Sequence, residues 1–183
     1  MQVAIIGAGP LGRWLALAAA RAGYTVLLED VMPANLHHAQ EYLRQQLGPA
    51  ALPMVRFVST IEDALREADL AIDCVPDELE SKLEIFCLLD RMAPPRTIFI
   101  TPTTRLSIAD LASCTYRADR CVALAVDMRE FAGSSMKDGD QLESGAEILL
   151  RTPSQATPET VALVQEFWTQ VGFKPRFEAE RLT

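Results

Sequence analysis

One ten-residue stretch, VAIIGAGPLG from Val3 to Gly12, limits what this chain can fold into more than any other. Val3–Ile6 is an apolar run of strand length, rich in β-branched residues. Glycines follow at Gly7, Gly9 and Gly12, in the spacing G-x-G-x-x-G. The alanine-rich LGRWLALAAARAG then reads as a helix that stops at Gly23. Each glycine has a physical reason. Gly7 permits a tight turn, Gly9 has no Cβ to block an approaching anion, and Gly12 lets helix and strand pack closely. The turn Gly7, Ala8, Gly9, Pro10, Leu11 and Gly12 therefore reads as a diphosphate cradle, with free amides and the positive end of a helix dipole aimed at one point.

The next strand, YTVLLED, ends at Asp30. A carboxylate there can accept both hydroxyls of an adenosine ribose, and it repels a 2′-phosphate. No arginine follows in VMPAN to neutralise such a phosphate. The expected ligand is thus a dinucleotide, with NAD(H) favoured over NADP(H). Glu29 is the alternative acceptor, one residue before the strand's end.

Strand and helix patterns alternate along the rest of the chain. Further strands are expected at Val55–Val58, Leu70–Val75, Thr97–Thr101, Cys121–Val126, Glu147–Arg151 and Arg176–Glu178. Runs such as LAIDCV and TIFIT are continuously apolar, as strands buried on both faces are. Helical segments lie in ANLHHAQEYLRQQLG, ELESKLEIFCLLDRM, SIADLAS with Ser107 as N-cap, and TPETVALVQEFWTQVG. The last has Thr157 as N-cap, Pro158 at the first helical position and Gly172 past the end. The pattern predicts an α/β fold, a Rossmann-type doubly wound and mostly parallel sheet of about seven or eight strands with helices on both faces. It reads as a single domain over 1–183, with its core in 1–178 and a long polar loop at 127–146.

Composition removes other classes. The 183 residues suffice for one buried core, and the net charge of −8 opposes nucleic acid and anionic membranes. No apolar run has the length of a membrane span, and the N-terminus lacks the basic start of a signal peptide, so a cytoplasmic protein is expected. The four cysteines Cys74, Cys87, Cys114 and Cys121 have neither metal-ligand nor redox spacing and read as reduced core thiols. His37 and His38 are adjacent, about 100° apart on a helix, so no metal site is expected.

Taken together, VAIIGAGPLG, AGYTVLLED, ADLAIDCVPDELESKLEIFCLLDRMAPP, TRLSIADLA and ATPETVALVQEFWTQVG resemble the NAD-binding domain of the 3-hydroxyacyl-CoA dehydrogenases. The resemblance runs from Val3 to about Gly172. It implies oxidoreductase chemistry on acyl-CoA or a small hydroxy or keto compound, in fatty-acid metabolism. It also implies cofactor contacts from the loop after the fourth strand, at Val75 and Asp77, and from Lys82 in the next helix. Where the family has Asn-Thr-Ser-Ser, this chain has PTTR, so Thr104 carries the hydroxyl and Pro102 replaces the asparagine.

One departure bears on chemistry. Counting without gaps from Thr104 to the family's catalytic histidine reaches Ala125, and no histidine follows His38. Oxidising a secondary alcohol by hydride transfer needs a base for the hydroxyl proton, and imidazole is well matched. The glutamate that orients that imidazole falls at Lys137 without gaps, or near Glu147 if the long loop is skipped. Weak or absent turnover is expected, since losing a general base costs a factor of about 10² to 10⁴. The alternative is a non-catalytic NAD(H)-sensing or regulatory module. Relatives continue into a helical domain that closes the acyl-CoA site, so a homo-oligomer or a partner chain is expected in its place.

Overall fold

In a computed structural model, the chain is described over residues 1–126 and 145–180. The elements run β1 (Gln2–Ile6), α1 (Pro10–Arg21), β2 (Thr25–Glu29), α2 (Pro33–Gln46), β3 (Val55–Val58), α3 (Ile61–Leu65) and β4 (Leu70–Asp73). They continue with α4 (Leu79–Met92), β5 (Ile98–Pro102), α5 (Ile108–Ser113), β6 (Cys121–Leu124), β7 (Glu147–Thr152), α6 (Pro158–Val171) and β8 (Lys174–Ala179). Eight strands form one sheet in the order β3-β2-β1-β4-β5-β6-β7-β8.

Strands β1 to β6 are mutually parallel; β7 pairs antiparallel with β6, and β8 runs parallel to β7. The order reverses direction at β1, from which the chain winds outward through β2 and β3 on one side and β4 to β6 on the other. Ligands of such sheets bind at this switch point, beyond the carboxyl ends of the strands.

Side-chain alternation along the strands makes two cores. Val3, Ile5, Val26, Leu28, Ile72 and Ile100 face α1, α2 and α6, where Leu15, Leu43 and Trp168 cover them. Ala4, Ile6, Leu27, Ala71 and Phe99 face α3, α4 and α5, where Leu65, Phe86 and Leu111 close the layer. Helices therefore sit on both faces of the sheet, as the doubly wound pattern requires.

The helix ends follow from local chemistry. Thr157 Oγ1 accepts from the Thr160 amide at 3.2 Å, and Gly172 ends α6 in the left-handed region at φ 109°. Helix α3 is absent from the sequence-based expectation. It is only one turn and a half of IEDAL, capped by Thr60 accepting from the Asp63 amide. Most of the loop expected at 127–146, with Lys137 in it, lies outside the described residues.

Candidate functional site

The glycine turn between β1 and α1 is held from three sides. Gly7 adopts φ 104°, where other residues are strained, and its amide donates to the Glu29 carbonyl at 2.8 Å. A Cβ at Gly12 would collide with the carbonyl oxygen of Gly7, so α1 can start here only from glycine. A Cβ at Gly9 would meet no atom within 4 Å. Packing thus accounts for Gly7 and Gly12 and leaves Gly9 unexplained.

Among the described residues, no side chain caps the start of α1. Gly9 is its N-cap with no side-chain cap bond, Pro10 fills the first position, and no acidic residue stands in the first turn. The Leu11 and Gly12 amides precede the first intrahelical bond, from Arg13 N to Gly9 O at 2.9 Å. Ala8 and Leu11 are themselves buried and anchor the turn to the core.

Asp30 follows β2 and closes the other side. Its Oδ2 accepts from the Ala8 amide at 2.8 Å and from Asn35 Nδ2 at 3.0 Å; its Oδ1 accepts from the Met32 amide at 2.8 Å. The carboxylate is therefore fixed against the glycine turn. Asn35 is a site residue that sequence reasoning missed; its place near the start of the helix after Asp30 was the available signal.

Glu29 is 4% exposed, and burial, together with the Asp30 charge, pushes its carboxyl up to about 7. The folded protein holds this proton more tightly than the unfolded chain. Its contribution to stability is full below the ordinary value of 4.5 and is lost as pH rises to about 7. Glu29→Gln is accordingly expected to match wild type near pH 4 and to exceed it by about 3 kcal/mol at pH 8, measured by urea midpoints at both pH values.

Across the switch point, β4 ends in Asp73. Lys82 of α4 donates to Asp73 Oδ1 at 2.8 Å, and both side chains are 0% exposed. Lys82 is therefore committed to a buried ion pair. Asp73 was missed from sequence, although an acid inside the apolar run LAIDCV signals a need for a buried partner. The half-buried Val75 donates its amide to Asp73 Oδ1 at 3.3 Å. Asp77 has a buried Oδ1 with no hydrogen-bond partner among the described residues.

Thr104 is exposed on the loop after β5. That loop is braced by Arg151 of β7, which donates to the Thr103 carbonyl at 2.8 Å and to the Leu106 carbonyl at 3.3 Å. Arg151 also pairs with Glu180 at 2.8 Å, and Glu180 accepts from Ser107 Oγ at 2.9 Å. Glu147 lies elsewhere: the alternation of β7 turns it outward, where it pairs with Arg176 of β8 at 3.0 Å. Ala125 donates its amide to the Leu149 carbonyl at 3.0 Å, so an apolar residue stands across the ladder from it.

Residues 2–125 match the family described as 3-hydroxyacyl-CoA dehydrogenase, NAD binding domain. The chain belongs to this family. A probable 3-hydroxybutyryl-CoA dehydrogenase of Bacillus subtilis is 30% identical in an alignment of 136 residues that covers 67% of this chain and 47% of that protein. The 5-formyl-3-hydroxy-2-methylpyridine 4-carboxylate 5-dehydrogenase of Mesorhizobium japonicum is 26% identical over 95% of this chain and 56% of its own length. In structure, a diketoreductase superposes with TM-score 0.80 at 25% identity, covering 99% of this chain and 65% of that one. The (S)-3-hydroxybutyryl-CoA dehydrogenase of Ralstonia eutropha shares the fold with TM-score 0.83 at 22% identity, over 98% of this chain and 64% of its own. The chain spans about half the length of the curated relatives it matches. This NAD-binding domain has no helix, among the described residues, long and apolar enough to cross a membrane.

Proposed function

We propose that this NAD-binding domain takes NAD(H) in preference to NADP(H), and that by itself it turns over hydroxyacyl-CoA thioesters weakly or not at all. The observation that carries the first half is the fixed Asp30 carboxylate beside an uncapped helix start. The Leu11 and Gly12 amides and the open Cα of Gly9 suit a pyrophosphate, which needs donors and close backbone approach. Asp30 Oδ1 retains one lone pair for a ribose hydroxyl, and the carboxylate would meet a 2′-phosphate with like charge. The partnerless Asp77 Oδ1 suits a hydroxyl donor on the second ribose.

The bound nicotinamide would supply hydride transfer. Exposed Thr104 offers a hydroxyl to hold a carbonyl or carboxamide oxygen, on a loop that Arg151 keeps in place. Among the described residues placed at the site, none accepts the alcohol proton. Ala125 has no acid–base group, and Glu147 is occupied by Arg176. The names of the relatives point to an acyl-CoA thioester or a small hydroxy or keto compound as the substrate class.

Fluorescence titration with NADH and NADPH tests the first half. Micromolar NADH binding with NADPH at least tenfold weaker is expected; equal affinities, or none for either, would overturn it. Acetoacetyl-CoA reduction tests the second half. The expected rate is about 10² or more below that of a histidine-bearing relative, and equal rates would refute the reading.

A further inference from the structure

Asp90 fixes how α4 faces the segment after α5. Its Oδ2 accepts from the Tyr116 amide at 3.1 Å, and its Oδ1 accepts from Arg117 Nε at 2.7 Å. Arg117 also donates to the Asp90 carbonyl at 2.8 Å and the Pro94 carbonyl at 2.6 Å, with its guanidinium over the Phe99 ring. The end of α5 is therefore held against α4. Cys87 stands one helical turn before Asp90, on the same side of α4. Cys114 is the C-cap of α5, two residues before Tyr116. The same packing sets Cys87 and Cys114 beside each other where α4 meets the end of α5, close enough for each thiol to feel the other. Cys87 is exposed and Cys114 half-buried. Cys114 donates to the Leu111 carbonyl at 3.0 Å, which holds its sulfur at the helix end.

We propose that Cys87 and Cys114 are an oxidation-sensitive thiol pair that closes to an intrachain disulfide stapling α4 to α5. The oxidant is a peroxide. The exposed Cys87, as thiolate, attacks one peroxide oxygen; the O–O bond breaks, leaving a sulfenic acid on Cys87, and the departing hydroxide takes up the proton that Cys87 lost on ionising, giving one water. Cys114 then attacks the Cys87 sulfur, the S–O bond breaks, and the departing hydroxide takes the Cys114 proton as a second water. Two thiols and one hydrogen peroxide thus give one disulfide and two waters. Burial, with the neighbouring Cys87 thiol, pushes Cys114 up to about 11, so Cys114 stays protonated and the exposed Cys87 is the thiol that peroxide oxidises. Cys121 is 0% exposed and its thiol donates to the Arg117 carbonyl at 3.4 Å, so peroxide does not reach it.

The test is stoichiometric hydrogen peroxide on the intact chain, then alkylation and peptide mapping without reductant. A Cys87–Cys114 linked peptide is expected, with loss of two of the four free thiols and a Tm rise of about 5 °C or more that dithiothreitol reverses. Cys87→Ser should abolish the link. Cys121→Ser should keep it. Cys114→Ser should leave a Cys87 sulfenic acid that dimedone captures. Sulfinic acid on Cys87 with Cys114 still alkylatable in wild type would overturn the proposal, as would a Cys87–Cys87 dimer or a bridge to Cys121.

Discussion

Lys82→Met is expected to cost about 3–5 kcal/mol, enough to unfold much of a domain whose whole stability is on the order of 5–15 kcal/mol. The reason is what the substitution leaves behind. Asp73 stays 0% exposed at the end of β4; among the described residues its Oδ2 already lacks a partner and its Oδ1 keeps only the Val75 amide at 3.3 Å. Water cannot reach the carboxylate, so its charge is uncompensated in the layer between sheet and α4. Lys82→Met/Asp73→Leu removes both charges and fills the same space, and should recover most of the loss. Urea midpoints at constant m-value distinguish these outcomes. A Lys82→Met protein as stable as wild type would show that the pair contributes nothing.

Which of these features could be read from residues alone follows from the range of the forces involved. The turn at Gly7–Gly12 and the caps of α6 depend on neighbours within a few positions, and both stand where spacing put them. Strand ends moved by a residue or two, since the last pairing depends on the adjacent strand. The antiparallel entry of β7 and its parallel partner β8 join residues far apart in sequence, and no local pattern encodes that direction. Helix α3 was too short for a periodic signal. Lys82 illustrates the same limit at the site: the resemblance marks the position, but only the packed α4 shows its ammonium turned to Asp73. The cysteines do too. Cys74 and Cys121 are buried as a core reading requires, whereas Cys87 is exposed and its proximity to Cys114 arises from the α4–α5 packing. Glu147 shows how one residue of register decides a role, because the neighbouring Ile148 is the one turned into the core.

Gly9→Ala and Gly12→Ala should separate folding from binding within a single turn. At Gly9 the backbone is extended, with φ −66° and ψ −174°, a conformation open to any residue, and a Cβ meets nothing within 4 Å. Alanine there should change stability by no more than about 1 kcal/mol, the cost of a poorer N-cap. It should nevertheless weaken NADH binding at least tenfold, about 1.4 kcal/mol, because the methyl group occupies the space the pyrophosphate needs. At Gly12 the added methyl meets the Gly7 carbonyl, with Ile5 Cγ2 beyond it at 3.5 Å, and neither backbone nor strand can yield. The helix must then lift from β1, at an overpacking cost of about 3 kcal/mol, and the cradle is lost with it. Denaturant midpoints and NADH titrations on both variants give four numbers. Stability should fall only for Gly12→Ala, while affinity falls for both. A Gly9→Ala protein that binds NADH as wild type does would remove the reason for a glycine at that position, and with it the assignment of the turn as the phosphate cradle.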